Sequence, residues 1–213
     1  MTISSLATAG GTLVLAVATF ASVRSAQEAA RLNERSLMAG LRPVLTPSRE
    51  DDPTERIMFG GGHWITLAGH SAVLEEADGH LYMAMSLRNV GQGLAVIHGW
   101  HASGAGVISV TIEGAPAQEM VAPEHFRRQH RDLYVPPGDT GFWQGAIRDP
   151  EDPDYTALRD AIAGREPITI HLLYGDHEGG QRTVARFTIL DGEDGVLQSN
   201  VTRYWNLDRD DPR

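Results

Sequence analysis

Leu81-Tyr82-Met83-Ala84-Met85-Ser86-Leu87-Arg88 sets large apolar side chains at every second position, with smaller or polar ones between them. A period of two belongs to an extended strand with one face on a core. Working outward, Asp78-Gly79 on one side and Gly91-Gln92-Gly93 on the other supply turn chemistry, so the strand is flanked by reversals. The same alternation returns at Ile168, Ile170 and Leu172 and at Ala185, Phe187 and Ile189. Shorter runs at 43–48, 56–59, 64–68, 71–76, 94–101, 107–112, 132–135, 140–147 and 196–205 are separated by Pro136-Pro137-Gly138-Asp139, Glu178-Gly179-Gly180 and similar turns. Many short strands at this spacing predict a mainly β domain over 41–213, a β-sandwich of Ig-like or related type. One helix interrupts it, Asp154 to Ala163, with Tyr155, Leu158 and Ile162 on one face and Gly164 as its stop.

The chain has 213 residues and a net charge of −10, with no cysteine, and all 18 basic residues are arginine. Without lysine there is no P-loop grip, no Schiff base and no Ser-Lys hydrolase. Without cysteine there is no thiolate nucleophile, disulfide or Cys-zinc site. The acid is unevenly placed: residues 1–49 carry five arginines against Glu28 and Glu34, so the remainder is more acidic than the whole. An acidic body repels phosphate backbones, which argues against nucleic acid as a partner. Arg127, Arg128 and Arg131, with His125 and His130, form the one basic cluster in the body; it reads as a solvated turn whose arginines are available to acidic groups.

Ile3 to Val23 carries no formal charge over 21 residues, close to the roughly 20 that cross a bilayer as a helix. Eight Ile, Leu, Val or Phe favour insertion, and Gly10, Gly11 and several Ser and Thr erode it. A membrane anchor is the leading expectation; a cleaved signal peptide lacks a basic start, and a buried soluble helix is the third reading. Arg24, Arg31 and Arg35 follow the span, which predicts the N-terminus outside and the C-terminal domain in the cytoplasm, a secreted or extracytoplasmic body being the alternative. Ala7/Gly11 and Ala18/Ser22 are small pairs through which two spans could form a homodimer. Arg24 to Met38 continues in good helix formers until Gly40, and Arg42-Pro43 forces extended chain. The division is therefore a transmembrane and juxtamembrane helix at 1–40, a rod of roughly 55 Å, and a β domain at 41–213.

Local motifs assign no catalytic, cofactor-binding or metal-ligating residue. Gly91-Gln92-Gly93 lacks the third small residue and the following helix of a dinucleotide site, and the glycine-rich stretch 99–106 reads as a loop. His98 and His101 are three apart on a strand, which puts them on opposite faces. His177-Glu178 lacks the second histidine of a zinc-protease helix and sits in a hairpin. A metal site gathered from His63, His101, His171 or His177 across strands would leave no spacing signature. Asp149, Glu151, Asp152 and Asp154 lack the glycine and terminal glutamate of a calcium loop and suit a helix entry. No Gly-x-Ser-x-Gly elbow occurs, and Asn200-Val-Thr202 is read as strand.

Arg24-Ser25-Ala26, Leu41-Arg42-Pro43-Val44-Leu45, the run Leu87 to Ala95 and Gly179-Gly180-Gln181-Arg182 together resemble a group of uncharacterised actinobacterial single-pass membrane proteins. The resemblance implies an N-terminal span leading through an Arg-Pro break into an all-β domain, and no activity. The expectation is a membrane-anchored module for protein interaction or scaffolding at the inner membrane face, bound to the bilayer through residues 3–23. The alternatives are a small-molecule or metal-binding sensor, motivated by the histidines and by Trp64, Trp100, Trp143 and Trp205, and an enzyme with a dispersed site.

Overall fold

The computed structural model describes residues 3–104, 120–192 and 194–208, without side chains for 3–14, 35 and 123. It divides into two units, Met1–Gly40 and Leu41–Arg213. The first is one helix, α1 (Ile3–Gly40). Within it Ser22 Oγ donates to the Ala18 carbonyl at 2.9 Å and Thr19 Oγ1 to the Leu15 carbonyl at 2.8 Å, so both hydroxyls are satisfied by their own helix. Arg24 and Glu28 pair at 3.3 Å. Among the described residues no helix is long and apolar enough to cross a membrane. The expected span starts with residues 3–14, whose side chains lie outside that description, as does the pair Ala7/Gly11.

The second unit is mainly β. Its strands are β1 (Leu45–Pro47), β2 (Glu55–Met58), β3 (Trp64–Leu67), β4 (Ala72–Ala77), β5 (His80–Asn89), β6 (Ala95–Ser103), β7 (Arg127–Arg128), β8 (Tyr134–Val135), β9 (Thr140–Ile147), β10 (Ile168–Gly175), β11 (Arg182–Asp191) and β12 (Leu197–Asn206). The expected run 107–112 lies outside the described residues. One sheet is built on β5, which pairs β9 along one edge and β4 and β1 along the other; a second runs β12-β11-β10-β6, with β7 and β8 on the far edge of β6; β2 and β3 form a separate hairpin. All described pairings are antiparallel.

One apolar cluster draws on both larger sheets: Leu81, Met83, Met85, Leu87 and Trp143 from the first, Ile97, Trp100, Ile170, Leu172 and Phe187 from the second. A smaller cluster joins Ile57, Phe59, Ile65 and Leu67 of the hairpin to Tyr82 and Ala84. The strand 81–88 is therefore buried on both faces, not on one. Leu81, Met83, Met85 and Leu87 face the main cluster, and Tyr82 and Ala84 pack against the hairpin on the other side.

Helix α2 (Tyr155–Ala163) presents Tyr155, Leu158 and Ala161 to the core. Its end is reached by an unexpected route. Gly164 stays right-handed, and the left-handed position falls to Arg165 at φ 51°. Arg165 N–H donates to the Ile162 carbonyl at 3.1 Å and Glu166 N–H to the Ala161 carbonyl at 2.9 Å, the pattern of a Schellman cap.

The Arg-Pro break and the Asn-x-Gly-x-Gly turn prove to be one structural unit. Asn89 is fully buried, and its Oδ1 accepts from Val44 N–H at 3.1 Å and Gly91 N–H at 3.0 Å while its Nδ2 donates to the carbonyls of Gly93 at 2.7 Å and Val135 at 3.0 Å. A Cβ on Gly91 would stand 2.3 Å from the Arg42 carbonyl oxygen. Gly91 is thus required for close approach of the entering chain. Arg42 also reaches β11 and β12, donating to Thr183 Oγ1 at 3.2 Å and Asn206 Oδ1 at 2.9 Å, and pairs with Asp208 just past β12.

Candidate functional site: an arginine-lined cleft between two sheet edges

The basic cluster of the sequence lies in a cleft of about 630 Å³, where β7 at the edge of one sheet faces β9 at the edge of the other. The two-residue strand β7 was not legible in advance, because Arg127-Arg128 has no apolar period. It forms opposite Gly99 and Trp100, and a Cβ on Gly99 would meet the Arg127 carbonyl oxygen at 2.8 Å. Trp100 and Gly145 line the cleft, and Trp143 is fully buried. Trp100 and Trp143 meet edge to face with centroids 5.4 Å apart, and a Cβ on Gly145 would lie 2.6 Å from Trp143 and 3.0 Å from Trp100. Gly145 is needed for that pair to seat.

Arg127 lies 5.6 Å from the Trp100 ring and grips Asp152 with both terminal nitrogens, at 2.6 and 2.7 Å, and Asp154 at 2.6 Å. That guanidinium holds the Asp152 carboxyl below the usual carboxylate range. The acidic run at the helix entry therefore serves the cleft: Asp154 occupies the N-cap position of α2 but makes no side-chain cap bond, its carboxylate being drawn to Arg127. Glu151 N–H donates to Asp149 Oδ1 at 3.0 Å, which is turn chemistry.

Arg128, Arg131 and Arg148 are exposed around the same cleft. Arg148 donates to the Gly60 carbonyl at 2.7 Å, and among the described residues no carboxylate lies within ion-pair distance of any of the three. One arginine is thus neutralised from within, and three positive charges stand at the rim. A second cavity, lined by Arg56, Trp64 and Phe142, adjoins the cleft through Arg131. Trp64 is half exposed there, with Arg56 5.1 Å from its ring.

The histidines are dispersed. β6 carries a bulge at His98, and Ile97 and Trp100 both enter the core; the regular alternation that separates His98 from His101 is broken by it. His101 instead stands opposite His171, ring centroids 6.2 Å apart, in a row that continues to Arg186 and Arg203. Arg186 Nε donates to His171 Nε2 at 3.0 Å, and burial, with the positive Arg186 beside it, pushes His171 down to about 3. Arg186 and Arg203 lie 4.9 and 5.1 Å from the Trp205 ring. His63 bonds Glu75 and stacks on Tyr82 at 4.1 Å. His177 is exposed in the β10–β11 hairpin. Among the described residues no three His, Asp or Glu are grouped to hold a metal ion. Comparison of the chain with protein-family models, curated proteins and solved structures finds no match in any of the three.

Proposed function

We propose that the chain is a membrane-tethered interaction module: a β-sandwich held by an N-terminal span over residues 3–23, N-terminus outside and body cytoplasmic, that docks an acidic protein partner in the arginine cleft. The two larger sheets packing on one apolar cluster support the sandwich. The charge-free run 3–23 followed by Arg24, Arg31 and Arg35 supports the anchor and its orientation. The observation that carries the function is the cleft itself, where Arg127 already grips two carboxylates and Arg128, Arg131 and Arg148 surround it without one. Arginine in a partly desolvated groove over tryptophan is the composition of an interaction hot spot. The test is capture from the membrane fraction with the full chain against an Arg128→Glu/Arg131→Glu/Arg148→Glu variant. A protein retained reproducibly by the wild type and lost by the variant is expected; equal retention by both overturns the reading.

A sensor of a small anionic ligand is the second reading, because about 630 Å³ falls within the range of small-molecule sites. It requires saturable binding of an anionic metabolite that the same triple substitution abolishes.

A further inference from the structure

Resting on that reading of the cleft, we propose that its occupant is an acidic peptide segment in extended conformation, adding as a strand to the outer edge of β9 and placing carboxylates on Arg128, Arg131 and Arg148. Among the described residues β9 pairs with β5 alone. Which of its backbone groups remain open follows from Ser86. Its N–H donates to the Ser71 carbonyl at 3.0 Å and its carbonyl accepts from Ser48 N–H at 3.3 Å, so both groups turn away from β9. Ser86 stands opposite Phe142, which makes that a non-hydrogen-bonded antiparallel pair. By alternation the N–H and C=O groups of Phe142, Gln144 and Ala146 point outward. Gln129 supports the assignment: its side-chain amide donates to the Gln144 carbonyl at 3.1 Å, taking the place a strand N–H would occupy. At residue 141 Val135 of β8 packs on the face of the strand, 3.0 Å from a Cβ on Gly141. With Gln129 already on the Gln144 carbonyl, a peptide entering there displaces that amide, and among the described residues the outward groups of Phe142 and Ala146 flank it, in the part that borders the arginines.

An exposed sheet edge invites pairing, and charge on the edge selects the partner. Arg131 and Arg148 repel the same edge of a second copy and attract a strand of opposite sign. The net charge of −10 acts weakly here, because at physiological salt charges beyond about 8 Å are screened, and the cleft lining sets Arg127, Arg128, Arg131 and Arg148 against Asp149 and Asp152, an excess of positive charge. Past Phe142 the groove continues to the exposed Trp64, an apolar anchor for one side chain of the segment.

The full chain in mild detergent is titrated into a fluorescent, end-blocked hexapeptide of alternating Glu and Val, and anisotropy is read. Binding is expected, with at least tenfold loss on replacing Glu by Lys, at least tenfold loss in Arg128→Glu/Arg131→Glu, and tenfold loss when amides are N-methylated in one of the two alternating frames but not in the other. The methylated peptides leave the protein untouched, so the result does not depend on how well a variant folds. Equal binding in both methylated frames overturns strand addition while a charge-sensitive cleft stands. No binding of the acidic peptide, or binding indifferent to the arginine substitutions, overturns the inference; if capture is also indifferent to them, the reading of the cleft falls with it.

Discussion

Gly93 lies directly against Leu41: a Cβ on Gly93 would stand 1.8 Å from the Leu41 carbonyl oxygen, a backbone atom that no rotamer change can move aside. Gly93→Ala therefore forces the entering chain off the Asn89 cradle. We expect a loss of about 3 kcal/mol, read as a fall in melting temperature of roughly 6–12 °C. Gly61→Ala is the control, having a positive φ of 100° but no described atom within 4 Å, and should cost about 1–2 kcal/mol.

Arg127→Met should destabilise the body by about 1–3 kcal/mol, because it leaves Asp152 and Asp154 without their cation while preserving the stem that covers Trp100. The sign with pH follows from Asp152. Its folded value is depressed by Arg127, so the contribution is present above the unfolded carboxylate value and is lost as pH falls through the folded one. Denaturation of wild type and variant should thus converge in acid; a gap that stays constant across the carboxylate range would contradict the assignment.

His171 titrates at about 3 in the folded state against an ordinary 6.5. The unfolded chain then binds more protons between those values, so stability is unaffected above about 6.5, declines as pH falls from there, and levels near 3. His171→Gln keeps an acceptor for Arg186 and removes the titration. Its stability profile should be flatter than the wild type by about one proton over that interval, and the wild-type His171 ring resonances should not move between pH 5 and 8.

Leu15→Arg puts a charge within the expected span at a cost of about 2.5–3.5 kcal/mol to insertion. The full chain should resist alkaline extraction from membranes, and the variant should be extracted. A C-terminal reporter active only in the cytoplasm tests the orientation, and signal from a periplasmic reporter instead would reverse it.

The strands of the body were legible because alternation survives wherever one face meets the main core: 81–88, 168–172 and 184–189 fall inside β5, β10 and β11. The short helix was legible from its apolar face, but its cap was not, since the left-handed position went to Arg165 one residue beyond the glycine. The cleft was legible only in composition. Arg127, Arg128 and Arg131 were visible as a cluster, yet their floor comes from Trp100 and Gly145 and their counter-charge from Asp152 and Asp154, brought together by a register that no local pattern encodes. Arg148 carried no signal at all, being an isolated arginine that the end of β9 delivers to the rim. The bulge at His98 was equally silent, because an extra residue in a strand changes facing without changing composition.

Arg42 fastens the first residues of the body to Asn206 and Asp208 at its end, and Tyr204 adds a hydrogen bond from its hydroxyl to the Leu45 carbonyl at 2.7 Å. Tension entering at Leu41 is consequently divided between β1 of one sheet and β12 of the other. Pulled from the helix end, the body resists in shear across several bonds at once rather than peeling strand by strand, and Arg42→Ala should lower its unfolding force in single-molecule stretching more than its equilibrium stability.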